Sequence, residues 1–186
     1  MTEQRTPPAV SAAPYLLILG YGNTLRRDDG AGCFLAQALA RCWQARGLPV
    51  RLETGHQLVP EMALEIAAPA VAAVLFVDAA KGLSTWRLQP VCLESSMEGG
   101  GHTLSPAGLL AHARLFRNEL PPAWLLTIPG RDFGHGEGLD SHTRLILRDV
   151  LEHALPLWQR IAGSTNGRLS LASQASGGVA FGGGME

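Results

Sequence analysis

The sequence has little charge. Among its 186 residues, Lys and Arg number 15 and Asp and Glu 16, which gives a formal net charge of −1, and charged residues make up only 17%. It contains no long run of Lys or Arg, so we do not expect nucleic acid as a partner. Because hydrophobic residues reach 46%, the chain has enough apolar material for a packed core and is not typical of disorder.

Long apolar runs are also missing. The longest extends from Ile66 to Val77 and contains Pro69, whereas a transmembrane helix needs about 20 consecutive apolar residues. Residues 1–13 lack the apolar core of a signal peptide. The three cysteines form neither a Cys-x-x-Cys pair nor an even disulfide framework, which favours free thiols in a reducing compartment. We therefore expect a cytoplasmic protein with no membrane partner.

Strand-like and helix-like segments alternate along the chain. Short apolar runs predict strands at 15–20, 50–54, 73–78, 86–93 (an edge strand) and 124–128. Helical spacing, caps and first-turn prolines predict helices at 34–42, 60–67, 106–118 and 141–161, the last kinked or split at Pro156. This alternation predicts a three-layer α/β/α sandwich with a mostly parallel sheet of about five strands. We assign the domain to residues 15–162 and expect flexible tails at 1–14 and 163–186.

Two acids follow predicted strands. Asp29 comes after the first strand, and Asp78 closes the strand at 73–78. In open α/β sheets ligands bind beyond the carboxyl ends of the strands, so these carboxylates meet if their strands are neighbours. His102, after three glycines in EGGGHTLSP, is a third candidate. Two carboxylates and an imidazole suit a divalent transition metal, and three protein ligands leave coordination positions open.

Each of these residues also has a simpler interpretation. Asp28 or Asp29 could cap the first helix, Asp78 could be a solvated strand end, and His102 could simply be exposed. Other familiar sites are excluded, since the sequence has no complete GxGxxG, no phosphate loop, no HExxH and no GxSxG. Possible ligands also occur in two other segments, GHQLVPE and RDFGHGEGLD.

Taken together, four segments resemble the hydrogenase maturation endopeptidases, which process the large subunit of nickel-iron hydrogenases. They are ILGYGNTLRRDDGAG, LFVDAAKG, GGHTLSPAGLL and IPGRDFGHGEGLD. The resemblance covers nearly all of residues 15–162, and the order of the motifs is more specific than any one of them. It implies an aspartic-type endopeptidase that recognises nickel already inserted in the large-subunit precursor and removes a C-terminal extension.

The resemblance also implies a site. The nickel ligands of the family correspond to Asp29, Asp78 and His102, with Asp29 and Asp78 as the catalytic carboxylates. Nickel is the expected metal, supplied by the precursor. Within the same motifs and in the HQLVPE segment, five further residues are predicted to contact the substrate: Gly22, Asn23, Asp28, His56 and His135.

Two other functions stay open at this stage. The chain could be a nickel-handling module that binds metal without cleaving protein, or an α/β protein whose acids hydrogen-bond a small molecule. We expect a monomer whose partner is the precursor of a nickel-iron hydrogenase large subunit.

Overall fold

Strands and helices alternate through residues 13–93 and 104–169, the part of the chain that our computed structural model describes. The strands are β1 (Tyr15–Tyr21), β2 (Val50–Gly55), β3 (Val71–Ala80), β4 (Arg87–Pro90) and β5 (Ala123–Pro129). The α-helices are α1 (Ala31–Gln44), α2 (Met62–Ala67), α3 (Pro106–Ala113), α4 (Ser141–Glu152) and α5 (Ala154–Gly163), and a short 3₁₀ helix at Arg27–Gly30 precedes α1.

The strands form one five-stranded sheet in the order β2-β1-β3-β5-β4. All neighbouring pairs are parallel except β4, which runs antiparallel to β5 at the edge. The predicted mostly parallel sheet is therefore confirmed. The edge position of β4 agrees with Pro90 in it, because proline lacks the N–H that a central strand would use.

Helices cover both faces of the sheet, which confirms the three-layer prediction. Leu16 and Ile18 of β1 point into the core under α1, α4 and α5. Their neighbours Leu17 and Leu19 point into the second core, under α2 and α3. This alternation follows from strand geometry, since successive side chains leave opposite faces. Every one of these side chains is at most 1% exposed, so β1 is buried from both sides.

Helix α3 begins as predicted but ends early. The Ser105 hydroxyl accepts the N–H of Gly108 at 3.0 Å and Pro106 occupies the first turn. The helix stops at Ala113 rather than at residue 118, and Leu115 and Phe116 just beyond it are largely exposed. Burial of an apolar face is what sustains most helices, and that burial ends here.

The last helical segment is split, as predicted, with the break at His153. Pro156 has no N–H to donate to the carbonyl four residues earlier, so α5 starts afresh and takes the proline into its first turn. None of the helices in residues 13–93 and 104–169 has the length and apolarity needed to cross a membrane.

The packed domain extends beyond the predicted boundary at residue 162. Leu169 is 2% exposed and belongs to the core under α1, α4 and α5. Arg168 donates to the carbonyl of Pro69 at 2.7 Å, which fixes this end against the start of β3. Residues 163–169 therefore pack with the domain, beyond the boundary predicted at residue 162. The predicted tails otherwise fall in 1–12 and 170–186, outside the described residues.

Candidate active site

Asp29 and Asp78 line one cleft at the carboxyl end of the sheet. β1 and β3 are neighbours, and the strand order reverses between them, because the chain passes from β1 to β2 on one side and to β3 on the other. The cleft has a volume of about 610 Å³. Its walls are formed by the end of β1, the loops after β1 and β2, the end of β3 and the start of α3. The expected convergence of the two acids at a switch point is thus observed.

The loop after β1 holds Asp29 in a fixed position. Its carboxylate oxygen Oδ2 accepts the backbone N–H of Asn23 at 2.9 Å. Gly22, at φ +131°, passes directly over Asp29, where a Cβ atom would collide with the Asp29 carbonyl oxygen. Only glycine combines this backbone conformation with such a close approach.

Helix α1 packs tightly on the ends of both central strands. A Cβ atom on Gly32 would clash with the Tyr21 carbonyl and lie 2.5 Å from the Val77 carbonyl oxygen. The first turn of α1 therefore approaches β1 and β3 to backbone contact, which places the 3₁₀ helix carrying Asp29 beside Asp78. This close approach is possible because Gly32, the last residue of DDGAG, has no side chain that would separate helix α1 from the sheet.

Asp78 is a mostly buried carboxylate with a perturbed pKa. Burial, reinforced by the negative charge of Asp29, raises the pKa of Asp78 to about 6. Hydrogen bonds from the Ala79 backbone, at 2.8 Å, and from the Tyr21 hydroxyl oppose that rise. Two carboxylates in one cleft favour a cation or a proton between them, and a carboxylate perturbed as Asp78 is occurs often in active sites.

Tyr21 is a site residue that the sequence analysis missed. Burial raises its pKa above the ordinary range, and its hydrogen bond to Asp78 and the charge of Asp78 raise it further, so the hydroxyl stays protonated as a donor. The strand period could have revealed it. Tyr21 lies on the same face of β1 as Leu17 and Leu19, and Asp78 on the corresponding face of β3 as Phe76.

Asp28 is wholly buried and does not line the cleft, and its predicted contact with substrate stays a prediction. Its carboxylate accepts the backbone N–H groups of Arg131, Asp132 and Asp140 at 2.8–2.9 Å and the Thr143 hydroxyl at 2.9 Å. Burial alone would raise the pKa of Asp28, but these hydrogen bonds outweigh it and hold the pKa below its usual value. Asp28 instead joins the β1 loop to the late loop, residues 130–140, and to the start of α4.

His135 also lies away from the cleft, and its predicted contact with substrate stays a prediction. It is exposed, and its backbone carbonyl accepts from Arg27 Nε at 3.4 Å. The late loop is further held by the ion pair between Arg27 and Asp132, at 3.1 Å. These links join the backbone of the late loop to the β1 loop at Arg27.

The remaining predicted residues divide into two groups. Gly22, Asn23 and His56 line the cleft with the two acids, although their contact with a substrate stays a prediction. His102 lies outside the described residues. The structure adds polar residues to the cleft wall that the sequence analysis did not single out: Arg26, Gln57 and Ser105.

The donor set of the cleft suits a divalent cation that brings ligands of its own. Within residues 13–93 and 104–169, no group of three or more His, Cys, Asp and Glu side chains is arranged to hold a metal. Two carboxylates are present, and oxygen ligands of this kind bind divalent metals when other donors complete the coordination. Cys33 is not a third donor on the cleft wall, because its thiol is buried against the carbonyls of Gly20, Gly22 and Gly55.

Solved structures with this fold include several hydrogenase maturation proteases. The nickel-iron hydrogenase maturation protease HybD from Thermococcus kodakarensis matches with a TM-score of 0.56 and 18% identity, over 77% of this chain and 98% of that chain. The maturation protease HycI from Thermococcus kodakarensis KOD1 matches with a TM-score of 0.57 and 20% identity, over 82% of this chain and 95% of that chain. HybD from Escherichia coli matches with a TM-score of 0.57 and 20% identity, over 80% of this chain and 94% of that chain. No protein-family model matches the sequence, and no curated protein matches it either.

At these identities the comparisons establish a shared fold, which is the three-layer α/β/α fold that the sequence predicted. The three solved proteins named above belong to the class that the sequence motifs resemble. The share of each solved chain that is covered, 94–98%, means that this domain spans the whole of those proteins.

Proposed function

We propose that the chain is an endopeptidase that recognises nickel in the precursor of a nickel-iron hydrogenase large subunit and removes the C-terminal extension of that precursor. The observation that carries this proposal is the convergence of Asp29 and Asp78 in one cleft, at the switch point of a fold shared with hydrogenase maturation proteases. The fold is compatible with many functions, so the pair of acids and the sequence motifs are what favour this one.

In this proposal the nickel belongs to the substrate. Asp29 and Asp78 supply carboxylate ligands to it, and His102 is the third ligand by resemblance. A nickel ion that arrives in the precursor distinguishes a metal-loaded subunit from an empty one. When the enzyme binds this ion, the end of the precursor is fixed in the cleft, which lowers the entropic cost of the cleavage step. Such a bound ion can act as a Lewis acid towards a carbonyl.

The protein side chains supply positioning and charge. The Tyr21 hydroxyl and the Ala79 N–H bind the Asp78 carboxylate, and the Asn23 N–H binds that of Asp29. Each acid is thereby held in place before substrate arrives, which is the preorganisation that catalysis and metal binding require. The aspartic-type assignment rests on these two carboxylates.

The polar wall of the cleft suits an extended peptide. The side chains of Arg26, Asn23 and Gln57 carry N–H donors. The backbone carbonyls of a bound peptide can accept hydrogen bonds from such donors. We further propose that the enzyme works as a monomer in the cytoplasm on a folded precursor.

The test is cleavage of a nickel-loaded large-subunit precursor, followed by mass spectrometry. We expect loss of a C-terminal fragment with the wild-type chain and none with Asp29→Asn or Asp78→Asn. Glu152→Gln is the matched control, because Glu152 is an exposed acid on α4, on the opposite face of the sheet, and its activity should equal that of the wild type.

Other outcomes favour other functions. Nickel binding without any mass change in the correct precursor would favour a nickel-handling module. A ligand that binds the cleft with no metal requirement would favour a small-molecule-binding protein.

A further inference from the structure

Two large apolar side chains lie exposed beside the cleft. Leu25 is 56% exposed and Phe34 is 40% exposed. Together with Thr24, Glu137 and Gly138 they line a concavity of about 330 Å³, which we call the apolar notch. Single exposed apolar residues are normal on a protein surface, but these two border the same concavity and together form one small apolar surface.

The notch has a rigid backbone. The N–H of Leu25 donates to Asn23 Oδ1 at 2.9 Å, and the carbonyl of Leu25 accepts the N–H of Gly136 at 2.9 Å. The carbonyl of Gly136 in turn accepts the N–H of Arg27 at 3.0 Å. Because these hydrogen bonds join the β1 loop to the late loop, a partner would find the notch already formed and little ordering would be required on binding.

The notch is also connected to the candidate site by a short path of hydrogen bonds. Asn23 donates its N–H to Asp29 Oδ2 and accepts the N–H of Leu25 on its side chain, both at 2.9 Å. Residues 22–27 therefore form a ridge with two sides. Asn23 and Arg26 line the cleft, while Thr24 and Leu25 line the notch.

We propose that the apolar notch is a docking site for the body of the protein substrate, which inserts an apolar side chain between Leu25 and Phe34. This inference rests on the proposed function. A precursor whose C-terminal end occupies the cleft lies against the ridge, so its surface continues onto the notch. Glu137 at the rim favours a partner that presents a basic or hydrogen-bond-donating residue beside the apolar one.

Docking at a surface away from the reacting groups has a definite kinetic signature. It contributes to binding of the substrate and of the transition state equally, so its loss raises KM and leaves kcat unchanged. It also gives specificity for the folded precursor, because a short peptide from the cleavage region would not reach the notch.

The experiment is steady-state cleavage of nickel-loaded precursor by the double variant Leu25→Ser/Phe34→Ser. We expect KM to rise by about tenfold or more, as for loss of an interface anchor, with kcat within about twofold of the wild type. Leu145→Ser is the control, since Leu145 is 60% exposed on α4 and should leave both constants unchanged. Circular dichroism of all variants confirms that the substitutions leave the fold intact.

Failure of this proposal is distinct from failure of the proposed function. Cleavage by the wild type with an unchanged KM in the double variant overturns the docking site alone, whereas no cleavage by the wild type overturns the proposed function. A direct binding measurement with immobilised precursor gives a second readout, and equal affinity of wild type and double variant would contradict docking at the notch. If the wild type dimerises with concentration and the double variant does not, the notch is an interface between copies of this chain and the proposal is wrong.

Discussion

The carboxylate of Asp28 accepts a hydrogen bond from the hydroxyl of Thr143, 115 residues later in the chain, at 2.9 Å. Its neighbour Asp29 lies in the cleft, where its carboxylate accepts from Asn23. Two consecutive acids of one motif thus have different tasks. Asp28 holds the loops that support the site, and Asp29 is available to a ligand.

The first prediction concerns the structural role of Asp28. Asp28→Ala removes the acceptor of three backbone N–H groups and one hydroxyl, all part-buried or buried. Because unpaired buried donors lose their hydration without compensation, we expect the free energy of unfolding to fall by about 3–5 kcal/mol. Urea unfolding measures this. Asp132→Ala breaks a half-exposed ion pair with Arg27 and an exposed hydrogen bond from the Gly134 N–H, and should cost about 1 kcal/mol or less. An equal cost for the two variants would contradict the assignment.

The second prediction concerns the cost of placing Asp78 in the cleft. Since its pKa is raised to about 6 in the folded chain, the folded state holds the proton more tightly than the unfolded state does. The stability associated with this proton is complete below the unfolded pKa and is lost as pH rises through about 6. At neutral pH the charged form therefore destabilises the fold, by about 2–3 kcal/mol for a shift of this size.

Asp78→Asn should for this reason be more stable than the wild type at neutral pH, while losing cleavage activity. The gain in unfolding free energy of the metal-free protein should shrink between about pH 6 and about pH 4, where the wild-type carboxyl becomes protonated. Urea unfolding across this pH range measures the difference. A variant that is less stable than the wild type at every pH would show that Asp78 is a structural acid.

The third prediction tests the backbone of the β1 loop. Gly22→Ala adds a Cβ atom that collides with the Asp29 carbonyl, at a φ that side chains disfavour, so we expect a loss of more than about 3 kcal/mol and displacement of Asp29. Gly47→Ala is the control, because Gly47 also has positive φ, at +71°, but open space around it. Its cost should be only about 1 kcal/mol. Thermal unfolding compares the stabilities of the two variants. Similar losses of stability would mean that the close contact between Gly22 and Asp29 adds nothing to the cost of a positive φ.

The fourth prediction tests the extent of the domain. Leu169 is buried in the core, so Leu169→Ala should lower the free energy of unfolding by about 2–3 kcal/mol. Leu115→Ala removes the same atoms from a side chain that is 78% exposed, and its effect should stay within about 0.5 kcal/mol. Chemical denaturation of both variants measures the contrast. If Leu169→Ala were as stable as the wild type, the domain would end at residue 162, as the sequence predicted.

Much of the sheet was predictable because its signals are local. β1 and β3 are continuous apolar segments, and the positions of Asp29 after β1 and of Asp78 near the end of β3 could be read directly. The direction of β4 was not predictable, since a short alternating segment such as Arg87–Pro90 has the same pattern whether it pairs parallel or antiparallel. The face of β1 that carries Tyr21 could be inferred from the strand period, but its contact with Asp78 depends on the pairing of β1 with β3.

The sequence by itself determined that this chain forms an α/β/α sandwich and that two acids stand at the ends of its central strands, because hydrophobic period and strand ends are properties of neighbouring residues. The resemblance favoured Asp29 over Asp28 as the ligand, but only the tertiary structure decided that Asp29 lines the cleft while Asp28 is buried. That choice depends on donors supplied by Arg131, Asp132 and Thr143, more than a hundred residues away. A buried carboxylate is stable only where donors satisfy it, and the donors to Asp28 come together only in the folded chain.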